Sequence, residues 1–343
     1  MCSARLAPLP RIRGTTSKSR YLEVSLGCEA VDRVIGGGMP LSSLFIVDED
    51  KSRAFAPVLA RYYCAEGVYC DHSLFVASSS RNPSELIENL PDRITAAEDM
   101  IPKDDISCEG NETMKIAWRY TSVPKLNSSL CDSRKTLHYD LTKKMDPIKF
   151  EAYKISLYPK SDQACCGFPS YSELYQRIRR NLTENQFLMS ATSTQFNILR
   201  IVVEGVGSPL WQDPENDLKF LAHLRCLLCS YYSVAMIIVN TSGMSQERKS
   251  RLYAYGDLSI HLDAVGDIDD IKQFDDRFDG YFRLLKLPTV SSIATHCPVN
   301  SDLVFELQKR KFDIRVLHLP PSVENADDGK DHDIPCKQIL DAF

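Results

Sequence analysis

The chain has 343 residues, a formal net charge of −5 and a pI near 5.9. An acidic balance excludes a general nucleic-acid binder held by overall charge, although a local basic patch stays open. Hydrophobic content of 43% and charged content of 25% describe a globular chain with a well-buried core, and no apolar run reaches the ~20 residues of a membrane helix.

The N-terminus is basic but lacks an apolar h-region, so the expected location is cytoplasm and nucleus, with no membrane partner. Residues 1–20 hold Arg5, Arg11, Arg13, Lys18 and Arg20 and no acid. They read as a basic disordered tail, either solvated or touching phosphate. Residues 26–40, LGCEAVDRVIGGGMP, lead into a buried strand at 43–47. The glycines suit a tight connection with positive φ, placed just before the first core strand. A helix follows over 54–66, with Pro57 in its first turn and Gly67 as its stop.

Strand and helix on either side of 48–53 are the surroundings of a phosphate-binding loop. Such a loop needs G-x-x-x-x-G-K-[ST], because glycines turn backbone N–H groups onto the phosphates. Here the turn reads Asp48-Glu49-Asp50-Lys51-Ser52-Arg53. It has no glycine, and its three carboxylates repel a triphosphate. Lys51-Ser52 imitates the end of the motif only superficially. A degenerate loop without nucleotide is the expectation, so no cofactor is expected.

A second strand is predicted at 72–77 and a short helix at 84–90. From about 92 to 170 regular pattern fades, which predicts a partly flexible insertion with ordered islands at 117–120 and 138–141. Helical spacing returns at 171–183. Strands are predicted at 198–203 and 234–239, with helices at 217–232 and 245–255. Glu204, near the end of the first of these strands, reads as an ordinary strand-end carboxylate or as a metal- or water-positioning one. Strand-like runs at 258–263, 281–287, 303–308 and 313–319 follow, the last two forming a hairpin around Lys309-Arg310-Lys311. Alternating strands and helices, then strands alone, predict an α/β fold: a twisted, largely parallel sheet with helices on both faces and an antiparallel extension at one edge. One such domain spans 21–321, and a polar tail covers 322–343.

Twelve cysteines in a chain without a secretory signal predict reduced thiols. Cys226-Leu-Leu-Cys229 is the only CxxC. It has no second pair of ligands for zinc and lies in an apolar helical run, so it reads as a pair of buried thiols rather than a metal site.

Several odd strings carry a resemblance. They are SLGCEAVDRVIGGGMPLSSLFIVDED at 25–50, IAWRYTSVPK at 116–125 and HYDLTKKM at 138–145, then GSPLW at 207–211, FDGYFRLLKLP at 278–288 and VLHLPP at 316–321. In this order they resemble the family of fourth subunits of the Elongator complex. The resemblance implies a RecA-like fold without a working P-loop. It implies a six-chain ring with the fifth and sixth Elongator subunits, contact with the remaining subunits, tRNA binding, and support of 5-carboxymethyl-type modification of wobble uridine. The chain itself is then a non-catalytic pseudo-ATPase. The alternative is a RecA-like ATPase with an unorthodox nucleotide site.

Within that frame no catalytic residue or metal ligand is nominated. Trp118, Arg119 and Tyr120 group two aromatics around a cation and suit a partner interface, local packing or stacking on RNA. Gly207, Ser208 and Trp211 belong to a loop placed for assembly or tRNA contact. Lys309, Arg310 and Lys311 suit a phosphate contact or a solvated turn.

Overall fold

Residues 44–49, LFIVDE, are buried at every position, and the alternation of their side chains decides the layers. A computed structural model of the protein describes residues 10–18, 21–49, 52–94, 138–149, 154–159, 169–184, 187–189, 196–265, 278–289, 298 and 302–317. The strand β4 (Leu44–Glu49) directs Phe45 and Val47 to one face and Leu44 and Ile46 to the other, and each pair lies in a separate apolar core. Helices α1 (Glu29–Ile35), α2 (Ala56–Tyr69) and α3 (Pro83–Glu88) contribute to the first core. Helices α4 (Tyr171–Glu184), α5 (Asp217–Leu228) and α6 (Gln246–Tyr255) cover the second. A sheet covered on both faces needs near-continuous apolar strands. The strands β5 (Ser73–Ser78), β9 (Leu199–Val206) and β10 (Ser233–Val239) are of that kind.

The remaining strands of the sheet are β8 (Ile155–Tyr158), β11 (Leu258–Ala264), β12 (Gly280–Lys286), β13 (Leu303–Leu307) and β14 (Phe312–Val316). Among the described residues the sheet has nine strands in the order β14-β13-β12-β11-β4-β10-β9-β5-β8. From β11 to β8 all neighbours are parallel, and β12, β13 and β14 extend the sheet antiparallel. This is the largely parallel sheet with an antiparallel extension that the order of elements predicts, and it is consistent with the RecA-like fold that the resemblance implies.

Four expectations are corrected. Residues 15–18 are not part of a disordered tail. They form β1 (Thr15–Lys18), paired antiparallel to β2 (Tyr21–Val24), which in turn pairs with β3 (Met39–Pro40). Arg13 just before them donates to the Tyr69 carbonyl at 3.0 Å.

The stretch 92–170 is not simply an insertion. It supplies β8 to the main sheet beside β5, and β7 (Tyr139–Lys144), which pairs with β6 (Pro91–Arg93). Its island at 117–120 lies outside the described residues.

Gly67 does not stop α2, which continues to Tyr69. A Cβ there would stand 2.6 Å from Leu74 Cδ2 and 2.9 Å from Arg200 Cδ, so glycine lets the helix lie close on the sheet. Cys226 and Cys229 are exposed, because α5 turns Leu221, Leu224 and Leu228 inward and leaves the thiols on its outer side.

Candidate functional site

The turn after β4 lies where a RecA-like fold would hold phosphate. The lead-in before it is built as the glycines suggest. Gly36 ends α1 at φ 87° and Gly37 follows at φ 130°. The Asp32 carboxylate accepts from the Leu26 N–H at 2.9 Å and the Ser25 hydroxyl at 2.5 Å, fastening the segment before α1 onto the helix.

Asp48 ends the apolar part of β4 and is fully buried. It accepts from the Thr241 hydroxyl at 2.8 Å, the Thr241 N–H at 3.2 Å, the Tyr253 hydroxyl at 2.5 Å and His261 Nδ1 at 2.9 Å. One carboxylate thus ties β4 to the loop after β10, to α6 and to β11. Burial alone would raise its pKa. The bonds from His261, Tyr253 and Thr241 outweigh burial and hold the carboxyl below its ordinary value.

Glu49 does something different. Helix α2 has no side-chain cap at its N-cap residue, Phe55. The Glu49 carboxylate reaches it from the strand. Its Oε1 accepts from the Ala54 N–H at 2.7 Å and the Phe55 N–H at 3.1 Å, and its Oε2 accepts from the Ala56 N–H at 2.7 Å. The Ser52 hydroxyl also donates to Oε1. These orphan donors and the positive end of the helix dipole are what a phosphate would use. The chain's own carboxylate already occupies them, buried at 2% exposure. Ser52 is therefore spent on Glu49, and Asp50 and Lys51 lie outside the described residues.

Beside this turn, a cavity of about 160 Å³ opens at the carboxyl ends of β4, β9 and β10. Glu49, Arg53, Arg81, Glu204, Ser208 and Asn240 are among its lining residues. Glu204 is buried inside β9, which runs on to Val206, rather than ending the strand. Burial raises its pKa against the opposing pull of Arg81 and a bond from Ser78. An adjoining crevice of about 240 Å³ brings Arg61 and Arg81 together with Asn82 and Glu85. Burial, and then the charge of Arg81, lower the pKa of Arg61.

The loop nominated for contact is anchored by its tryptophan. Trp211 is 1% exposed, stacks on Tyr171 with centroids 4.6 Å apart, and donates from Nε1 to the Gly205 carbonyl at 2.7 Å. It is a core side chain and not an outward contact. Gly207, at φ 84°, donates its N–H to the Tyr171 hydroxyl at 2.8 Å, and Ser208 closes the turn onto the Gly205 carbonyl at 3.1 Å. Pro209 and Leu210 are the exposed residues of this loop. Trp118, Arg119 and Tyr120 lie outside the described residues. Lys309, Arg310 and Lys311 are exposed at the tip of the β13–β14 hairpin, as predicted. Sequence reasoning passed over the capping role of Glu49, because a carboxylate in a turn carries no mark of which helix it reaches.

A cluster away from the turn shares the same frame. Arg200, fully buried on β9, donates from Nε to His72 Nδ1 at 3.1 Å, from Nη1 to the Tyr63 carbonyl at 3.2 Å and from Nη2 to the Ser25 carbonyl at 3.0 Å. His72 Nδ1 is therefore the acceptor, and Nε2 carries the proton it donates to the Arg13 carbonyl at 2.8 Å. Burial, and then the Arg200 charge, push the His72 imidazole down to about 3.

Sheet order and turn together define a RecA-like α/β protein whose phosphate position is filled from within. A sequence profile of the PAXNEB protein family matches residues 5–338. Elongator complex protein 4 of Danio rerio is 30% identical over 346 residues, covering 93% of this chain and 87% of the relative. Its Homo sapiens counterpart is 30% identical over 347 residues, with 92% and 82% covered. That of Drosophila melanogaster is 24% identical over 406 residues, with 92% of each covered. The chain belongs to the PAXNEB family, that of the Elongator complex protein 4 relatives.

Proposed function

We propose that the chain is a non-catalytic subunit of an Elongator complex, a pseudo-ATPase that works as scaffold. In this reading it joins the fifth and sixth subunits in a six-chain RecA-like ring and contacts the remaining Elongator subunits. The ring binds tRNA and supports 5-carboxymethyl-type modification of wobble uridine 34, in cytoplasm and nucleus. The observation that carries the non-catalytic part is Glu49. Its carboxylate accepts from the Ala54, Phe55 and Ala56 N–H groups, so a triphosphate arriving there would meet a negative charge instead of free donors. The family relationship carries the rest.

Native mass measurement of the tagged chain, purified at low salt from its own cells with tRNA and nucleotide retained, tests the assembly. The expected species holds this chain with two other kinds of RecA-like subunit, and tRNA. A lone chain or homo-oligomer carrying ATP overturns the reading in favour of an ATPase with an unorthodox site. Lys51→Ala is expected to leave nucleotide turnover by the assembly unchanged, and a loss of turnover in that variant counts against a non-catalytic turn.

A further inference from the structure

Two arginines from different elements line the crevice of about 240 Å³ between α2 and α3. Arg61 belongs to the second turn of α2, and Arg81 to the loop after β5. Arg61 is half-buried, and among the described residues it makes no hydrogen bond and no ion pair. The two charges are close enough that Arg81, after burial, disfavours the charged form of Arg61.

The donors are held in place. The Arg81 N–H donates to the Ser78 hydroxyl at 3.1 Å, and Arg81 Nη2 donates to the Arg53 carbonyl at 3.2 Å. Arg53 offers that carbonyl from φ 54°, a left-handed conformation uncommon outside glycine. Asn82 also lines the crevice. Its Oδ1 accepts from the Ser84 N–H at 3.1 Å, which leaves its amide N–H groups to donate.

Two carboxylates share the lining, and neither answers Arg61. Glu204 is buried, takes a bond from Ser78 and feels the charge of Arg81, so it offsets Arg81 alone. Glu85 is exposed and, among the described residues, forms no ion pair with either arginine. Two guanidinium groups facing one crevice repel each other, and an anion between them turns that repulsion into attraction.

We propose that Arg61, Arg81 and Asn82 bind a tetrahedral oxyanion, a free phosphate or the phosphate of a small monoester. One guanidinium fork satisfies a carboxylate, whereas two forks and an amide suit an ion with oxygens on several sides. The crevice has room for such an ion and several waters. This site is separate from the end of α2, where Glu49 already takes the backbone donors. It does not depend on the assembly proposed above.

The test is isothermal titration calorimetry of the purified full-length chain in chloride buffer, with inorganic phosphate and with glycerol 3-phosphate. One site per chain is expected, and Arg61→Gln and Arg81→Gln should each weaken it at least about tenfold. Tighter binding of the ester assigns the site to monoesters, and equal or tighter binding of inorganic phosphate assigns it to the free ion; both support the site. No binding of either by the wild-type chain overturns it, as does wild-type affinity in both variants. A second measurement needs no variant. Phosphate should protect Arg61 and Arg81 from phenylglyoxal, mapped by mass spectrometry, while the exposed Arg251 stays reactive. Equal labelling of Arg61 and Arg81 with and without phosphate overturns the proposal.

Discussion

Glu49 shows how one side chain can close a site. A carboxylate that accepts three backbone N–H groups caps α2 from outside the helix and neutralises the end of its dipole. Glu49→Ala leaves those donors to water and is expected to cost about 1–2 kcal/mol. Glu49→Gln keeps one acceptor and should cost less. Urea midpoints of the three proteins check the order, and equal midpoints would remove the capping role.

Asp32 and His72 make a second prediction at this scale. Burial pushes the Asp32 carboxyl up to about 7, although Ser25 and Leu26 pull it down, and His72 is pushed down to about 3. The unfolded values are the ordinary 3.8 and 6.5. Between pH 3.8 and 6.5 the folded Asp32 keeps a proton that the unfolded chain has released, so its contribution falls as pH rises and is lost fully only above about 7. Over the same window the unfolded chain protonates His72 and the folded one does not, so that contribution grows with pH and is lost toward pH 3. The two slopes oppose, each at about 1.4 kcal/mol per pH unit. Relative to wild type, Asp32→Asn should gain stability with rising pH across this window and His72→Asn should lose it. Denaturation at pH 4.5 and 6 reads the sign, and parallel pH profiles would sink the assignment.

Helix α5 separates what apolar content says from what periodicity says. Its run of leucines suggested that Cys226 and Cys229 were buried, but only every third or fourth position faces the sheet. Native alkylation followed by mass spectrometry should modify Cys226 and Cys229 well before Cys28, Cys64 and Cys70. Burial pushes the Cys28 and Cys70 thiols up to about 12 and raises Cys64 as well, so all three stay protonated and shielded. Equal labelling of the five would contradict the burial pattern. Helix α2 teaches the converse about glycine. Gly67 looked like a stop and is a contact, because the neighbour that needs the room, Arg200, comes from a strand more than a hundred residues later.

At the scale of the molecule, β4, β10 and β9 lie in the middle of a sheet covered on both faces, while β6 and β7 form a separate pair. Hydrogen exchange should therefore be slowest in β4, β9 and β10 and much faster in β6 and β7. Comparable protection in β7 and β10 would mean that the two-stranded pair is more deeply supported than its contacts suggest. Much of this architecture was legible beforehand. Apolar runs such as SLFIV and VAMIIV mark doubly covered strands, Gly36 and Gly37 mark a left-handed connection, and the hairpin around Lys309-Arg310-Lys311 follows from two short strands and a charged turn. These are local signals, set by side-chain period and backbone freedom over a few residues. Three matters needed the fold. One was that β8, from a stretch without clear pattern, adds an edge to the sheet. Another was that Trp211 turns inward onto Tyr171. The last was that Glu49 reaches the end of α2. Each depends on which distant backbone a side chain or strand meets, and only the packing of the sheet and its helices brings those partners together.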